Sequence, residues 1–214
     1  MTWCGTAISS KKLNETFYDN RIYDMNRIRF NDFDIKRVVF DEGDKIRNIY
    51  TRYSVRYKYS NDFVADLRIT TPTASSLLTC TYIGKDNFNN GHTATFILDD
   101  DKFYTILASI GELFKEYINK KKGVNYPISE DSSKLYCKMI ESAERVYTEF
   151  YTQGDDSEIV TTPIEQLRGP LMMRPIFTTH FIVGPTINMK VQVYKSYYKK
   201  IERQHGDYDL AFKD

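Results

Sequence analysis

Two segments of the chain interleave cations with tyrosines and contain no acidic residue. The first, residues 45–58, lies between Asp44 and Asp62. The second, residues 188–200, continues without an acid as far as Glu202. Lysine and arginine neutralise phosphates, and exposed aromatic rings stack on unpaired bases. This combination predicts a surface for single-stranded nucleic acid, in which both the backbone and the bases are accessible.

The segment RNIYTRYSVRYKYS, residues 47–60, alternates with a period of two. Because successive side chains of a strand point to opposite faces, this pattern predicts a strand with an apolar face and a cationic face. The apolar face comprises Ile49, Thr51, Tyr53, Val55, Tyr57 and Tyr59. The cationic face comprises Tyr50, Arg52, Ser54, Arg56 and Lys58.

Candidate binding residues come from both segments. Cations that we expect to hold phosphates are Arg47, Arg52, Arg56, Lys58, Lys190 and Lys195. Tyrosines that we expect to stack on bases are Tyr50, Tyr194 and Tyr198. The alternative is an ordinary solvated strand face, on which arginine stems cover apolar surface. The two segments must lie side by side for the binding hypothesis to hold.

Charge and composition narrow the kinds of partner. The formal net charge is +1, with 30 basic and 29 acidic residues, so an anion site must be a local concentration of cations. The N-terminus has no signal-peptide core, and no apolar run approaches the length of a transmembrane helix. We therefore expect a soluble, intracellular protein without a membrane partner. Trp3 is a candidate oligomer contact, and Phe88 is a weaker candidate for stacking or docking.

Catalytic and metal-binding motifs are not evident. The acid clusters Asp99–Asp101 and Asp41–Asp44 suit a helix N-terminus and a hairpin turn. Three separated cysteines and three scattered histidines form no zinc motif. We predict no enzyme activity, no metal and no cofactor, with a metal-dependent nuclease built on the acid clusters as an alternative.

The order of elements indicates an α+β protein with a mainly antiparallel sheet. Residues 1–98 read as short strands, and the spacing of apolar residues predicts an amphipathic helix over 102–119. A second amphipathic helix is predicted over about 132–151, within a helical insertion at 101–151. Strands return over 159–200, and the absence of a low-complexity linker indicates one domain over 1–214.

In their order and residue composition, these segments resemble the single-stranded-DNA-binding proteins of large DNA viruses, of the poxvirus and baculovirus type. Three stretches within residues 45–200 carry the resemblance: LRITTPTASSLL, ATFILDDDKFYTILASIGELFKEYI and RPIFTTHFIVGPTINMKVQVYK. The resemblance implies an OB-like barrel with two inserted helices, cooperative binding to single strands and a role in viral replication. It also implies a location in the host nucleus or a viral replication compartment.

The interpretation is a protein that coats single-stranded DNA without sequence preference, in viral replication or recombination, and self-associates on it. RNA is an open alternative to DNA as the bound strand. The competing hypothesis is a viral structural or protein–protein interaction protein whose tyrosine-rich strands contact other proteins.

Overall fold

The computed structural model describes residues 26–46, 49–71, 76–86, 91–143, 145–154 and 158–200. Most of these residues are in strands, which are β1 (Ile28–Arg29), β2 (Val38–Phe40), β3 (Asp44–Ile46), β4 (Tyr50–Lys58), β5 (Val64–Asp66), β6 (Arg68–Thr70), β7 (Leu78–Lys85), β8 (His92–Ile97), β9 (Val124–Asn125), β10 (Lys134–Met139), β11 (Glu149–Gln153), β12 (Ile159–Thr162), β13 (Leu171–Val183) and β14 (Ile187–Lys200). The described α-helix is α1 (Lys102–Tyr117), and short 3-10 helices span Phe30–Asp32, Ile35–Arg37 and Ile164–Gln166.

Five of the strands close into a barrel. β7 pairs with β8, β8 with β10, β10 with β14, β14 with β13, and β13 returns to β7. The β10–β14 pair is parallel, whereas the other four are antiparallel. A mostly β chain with a closed five-stranded barrel is consistent with the OB-like class.

The hairpin of β13 and β14 extends beyond the barrel into a wider sheet. The first residues of β13 pair with β7, but His180–Val183 pair with Thr51–Ser54 of β4. At the same end of the hairpin, Ile187 and Asn188 of β14 pair with β9. The two cation- and tyrosine-rich strands, β4 and β14, therefore lie on either side of β13.

The apolar face predicted for β4 is the face that packs inward. Val55 and Tyr57 are fully buried, and Tyr53 packs against the same core. Arg52 and Lys58, on the other face, are exposed. The barrel interior is filled by alternate residues of its strands, which include Cys80, Phe96, Leu135, Cys137, Phe177, Val191 and Val193.

The predicted helix over 102–119 is confirmed as α1. It begins where the Asp100 carboxylate accepts a hydrogen bond from the Lys102 amide at 3.0 Å. It ends before Asn119, whose φ of 50° lies in the left-handed region. Its inner face packs on the core through Phe103, Ile106, Leu107, Ile110 and Phe114. Within the part of the chain that the structure describes, no helix is long and apolar enough to cross a membrane.

The predicted second helix over 132–151 is wrong. The described residues of this segment form strands β10 and β11, joined by a turn around Ser142. In β10, Leu135, Cys137 and Met139 are buried while Lys134 and Tyr136 are exposed, which is a period of two. Leu135 and Met139 are four residues apart, a spacing that a strand face and a helix face share. Cys137 lies midway between these residues, so counting it as apolar gives the period of two that is typical of a strand.

Candidate nucleic-acid interface

Four basic side chains follow one another obliquely across the outer face of the sheet. His180 of β13 lies opposite Ser54 on one side and Lys190 on the other, so these residues share a face. Arg52 is two positions from Ser54 on that face. Gln192, two positions from Lys190, pairs with Lys138 of β10. We call this set, Arg52, His180, Lys190 and Lys138, the cationic row.

The pKa values in the cationic row reflect both burial and mutual repulsion. Burial and, as smaller causes, the charges of Arg52 and Lys190 together lower the pKa of His180 to about 3, so its imidazole is neutral at neutral pH. Burial also lowers the pKa of Lys190, with the charge of Lys138 as a second cause. The positive charges of the row are therefore those of Arg52, Lys190 and Lys138, around a neutral His180. A bound anion would relieve this repulsion.

Acidic residues are missing from the hairpin that forms the centre of this face. Residues 166–201, which contain β13 and β14, include no aspartate or glutamate. Asp44 of β3 lies opposite Arg52 and is an acid at the margin of the cationic row. Glu149 of β11 pairs with Lys195, near the other end of β14. The positive surface is therefore bounded by acids on neighbouring strands.

Two exposed tyrosines lie on the outer face of the barrel. Tyr82 of β7 and Tyr136 of β10 pair with Thr95 of β8 from opposite sides. Tyr82 is 47% exposed and Tyr136 is 49% exposed. Two strand spacings put their backbones about 10 Å apart. We call Tyr82 and Tyr136 the tyrosine pair. Lys138, two positions from Tyr136, connects the tyrosine pair to the cationic row.

The Tyr82 ring is held against its own strand. A Cβ atom at Gly84 would lie 3.2 Å from the Tyr82 hydroxyl oxygen, so the glycine allows the close approach of the side chain. The Tyr82 hydroxyl donates a hydrogen bond to the Lys85 carbonyl oxygen at 2.8 Å. These contacts fix the ring before any ligand arrives. A fixed ring with an exposed surface is suited to stacking on a base.

The remaining predicted residues of β4 have varied environments. Tyr50 is partly exposed, and its ring lies over Gly184 in the β13–β14 turn. Arg56 is half-buried and donates a hydrogen bond to the Val64 carbonyl at 3.1 Å. Lys58 is exposed but is six residues from Arg52, about 20 Å along a strand. The structure therefore places Arg52 nearer than Lys58 to Lys190, with His180 of β13 between them.

The predicted residues near the end of β14 are engaged in other contacts. The Arg68 guanidinium lies 4.0 Å from the centre of the Tyr194 ring, and Lys195 Nζ lies 5.4 Å from it. Lys195 also pairs with Glu149 at 2.9 Å. The carboxylate of Glu149 accepts a hydrogen bond from Tyr151, which, with the Lys195 contact, lowers the pKa of Glu149. A phosphate at Lys195 would have to compete with this carboxylate.

Tyr198, which we expected to stack on a base, is buried. It is 4% exposed, and its hydroxyl lies 2.9 Å from the Thr162 hydroxyl, so its ring is unavailable to a base. The cause is a register shift in β14, where Ile176 pairs with Lys195 but Phe177 pairs with Val193. The extra residue, Tyr194, reverses the alternation of the residues that follow it.

Three candidates lie outside the described residues, namely Arg47, Trp3 and Phe88. Four functional candidates were missed from sequence: Tyr82, Tyr136, Lys138 and His180. The alternation in KLYCKM indicates an outward Tyr136 once this segment is treated as a strand. Tyr82 has no such signal, because a register shift between Cys80 and Tyr82 reverses the alternation of β7. Among the described residues, no group of three His, Cys, Asp or Glu side chains could hold a metal ion.

Comparisons with known proteins give a distant structural similarity. No protein-family model matches the chain, and no curated protein matches it. Among solved structures, it is similar to the single-stranded DNA-binding protein from bacteriophage Enc34, with a TM-score of 0.45 and 12% identity, over 81% of this chain and 96% of that chain. A TM-score of this size does not establish a shared fold or function. The resemblance to poxvirus and baculovirus proteins has no support here.

Proposed function

We propose that this protein binds single-stranded DNA without strong sequence preference, using the cationic row for phosphates and the tyrosine pair for bases. The observation that carries the proposal is the placement of β4 and β14 on either side of β13, which puts Arg52 and Lys190 beside His180 on one face. Lys138 then continues this positive surface to Tyr136. Phosphate-binding and base-stacking groups therefore share one outer surface.

The shape of this surface favours a single strand over a duplex. Stacking requires unpaired bases, and each base that stacks on an aromatic ring contributes about 1–3 kcal/mol. A duplex reader would more often insert a basic helix into the major groove. The outer side of α1 instead carries Glu112 paired with Lys115, so it offers no dense positive face.

Binding to labelled single-stranded and duplex oligonucleotides of equal length tests the proposal directly. We expect tighter binding to the single strand at moderate salt, because only its bases can reach Tyr82 and Tyr136. Fluorescence anisotropy titrations measure both affinities under one set of conditions. Equal affinity for the two forms would contradict the stacking role.

Replacing Arg52 and Lys190 together with alanine should make binding less sensitive to salt. Each phosphate contact to a single strand contributes about −0.7 to the slope of log affinity against log salt concentration, so the slope should flatten by roughly 1.4. Titrations over a series of salt concentrations measure it. The control is Lys36→Ala with Lys102→Ala, which removes two exposed cations elsewhere. A parental slope in the Arg52 and Lys190 variant would place the phosphates on another surface.

The acid clusters have structural roles that favour DNA binding over the nuclease alternative. Asp41 accepts a hydrogen bond from the Ser54 amide at 2.9 Å, which fixes the chain beside β4. Asp100 accepts the Lys102 amide at the start of α1. Incubation of labelled DNA with the protein and Mg²⁺ separates the two functions, because a nuclease would shorten the DNA.

The biological setting that we propose is the coating of unpaired DNA during viral replication or recombination, in the host nucleus or a viral replication compartment. This setting comes from the sequence resemblance alone, and the comparisons add no support to it. Self-association along the strand belongs to the same proposal, with Trp3 as the candidate contact. The protein–protein alternative makes an opposite prediction about salt, because an apolar interface responds weakly to ionic strength.

A further inference from the structure

A run of three lysines after α1 lies next to the turn between β13 and β14. Lys120, Lys121 and Lys122 are all exposed. Lys122 Nζ donates a hydrogen bond to the Pro185 carbonyl in that turn at 2.8 Å. The following residues form β9, which pairs with Ile187 and Asn188 of β14. We call residues 120–122 the lysine segment. It is tied to the same end of the hairpin as Arg52 and Lys190.

The lysine segment is not neutralised by acids of its own stretch. The chain has no acidic residue between Glu116 and Glu130, and the hairpin to which the segment is tied has none over 166–201. The cation nearest in sequence within α1, Lys115, is paired with Glu112. The helix dipole favours cations within the last turn of a helix. The lysine segment follows that turn, so the dipole does not explain its three lysines.

Strand geometry places the lysine segment at a distance suited to later phosphates of one strand. β9 runs parallel to β14, and Val124 pairs with Ile187, so Lys122 is level with Pro185. Lys190 is five residues further along β14, which is roughly 17 Å along the strand direction. β9, which follows Lys122, is separated from β4, which carries Arg52, by three strand spacings, or about 14 Å. One phosphate cannot reach both places, but successive nucleotides of the same strand can.

The surface between the lysine segment and the cationic row is polar and open. Asn125 of β9 donates a side-chain hydrogen bond to the Asn188 amide oxygen at 3.1 Å. The Asn188 amide nitrogen donates to the Thr186 hydroxyl at 2.9 Å. A Cβ atom at Gly123 would meet no other atom within 4 Å, so the space beside the lysine segment is unobstructed.

We propose that the lysine segment is a second phosphate-binding site for the same DNA strand, engaged only by strands long enough to extend past the cationic row. This inference rests on the proposed function. It assigns to Lys120 and Lys121 contacts with the backbone of the strand, while Lys122 anchors the segment to the β13–β14 turn. The bound group is a phosphodiester, so no sequence preference follows from it.

The variant Lys120→Gln with Lys121→Gln tests the inference, because it keeps the Lys122 anchor. An oligothymidylate of about 6 nucleotides lies near the lower end of the site sizes of about 4–16 nucleotides seen in this class of surface, and one of about 20 nucleotides exceeds them. With the long oligonucleotide, the slope of log affinity against log salt should flatten by roughly 1.4, at about 0.7 for each lost contact. With the short one, slope and affinity should equal those of the parent.

The matched control, Lys36→Gln with Lys102→Gln, loses the same charge elsewhere and should keep the parental slope with both lengths. A parental slope of the Lys120 and Lys121 variant with the long oligonucleotide would overturn the second site and leave the proposed function intact. An equal loss with the short oligonucleotide would also overturn it, because the length dependence would be absent. A parent protein that binds neither oligonucleotide would overturn the proposed function, and the inference with it.

Discussion

Phe114→Ala should lower the free energy of unfolding by about 3–5 kcal/mol, the usual cost of truncating a buried phenylalanine. Phe114 is fully buried, and its ring stacks on Phe181 of β13 with centroids 3.8 Å apart. It also makes edge contacts with Phe40 and Tyr53, at 5.1 Å and 5.2 Å. One side chain of α1 thus joins β2, β4 and β13. Urea unfolding followed by circular dichroism measures the loss.

Leu113→Ala is the control for the Phe114 variant, because the neighbouring leucine is only partly buried. Its smaller burial should give a smaller loss of stability in the same experiment. The affinity of folded Phe114→Ala for single-stranded DNA should stay near the parental value, since Phe114 contacts the inner face of the sheet. A loss of stability below about 1 kcal/mol would show that α1 is not the structural element described above.

The position of α1 was predictable because its apolar residues recur with the period of a helix over four turns. Phe103, Ile106, Leu107, Ile110 and Phe114 are all buried, as that pattern requires. β10 was not recognised because its apolar residues, four apart, fit either period. Pairing with β8 and β14 settles the conformation of β10, and pairing between distant segments leaves no local mark in the sequence.

The candidate interface was predictable in part from the alternation in β4. Arg52 faces outward and Val55 and Tyr57 face inward because the register of β4 is uninterrupted. In β14 the extra residue at Tyr194 reverses the alternation, so Tyr198 turns inward although Lys190 faces outward. A bulge depends on how two strands fit in space, and the composition of either strand alone does not reveal it.

The side-by-side placement of the basic strands required the structure. β13 lies between β4 and β14 and carries few cations itself, so its sequence gives no sign of a binding role. His180 belongs to the cationic row through its position between Arg52 and Lys190, and its burial, with the charges of these neighbours, keeps its pKa low. The tyrosine pair likewise arises from the barrel, since β8 lies between β7 and β10.

Replacing both members of the tyrosine pair with alanine should weaken single-stranded DNA binding by about 2–6 kcal/mol, at about 1–3 kcal/mol for each lost stack. The lower end of this range is roughly a 30-fold loss of affinity. The salt slope should remain parental, because stacking displaces no counterions. Anisotropy titrations of the Tyr82→Ala and Tyr136→Ala variants, single and combined, over a series of salt concentrations measure both quantities.

Phenylalanine at the same two positions separates stacking from hydrogen bonding. Tyr136→Phe should bind like the parent, because the ring is retained. Tyr82→Phe loses the hydrogen bond to the Lys85 carbonyl, so it should bind more weakly than Tyr136→Phe but better than Tyr82→Ala. Tyr104→Ala, which removes a tyrosine that is 36% exposed on α1, is the control and should leave affinity unchanged. If the double alanine variant bound as tightly as the Tyr104 variant, the bases would not lie on the barrel face, and the cationic row would hold the DNA alone.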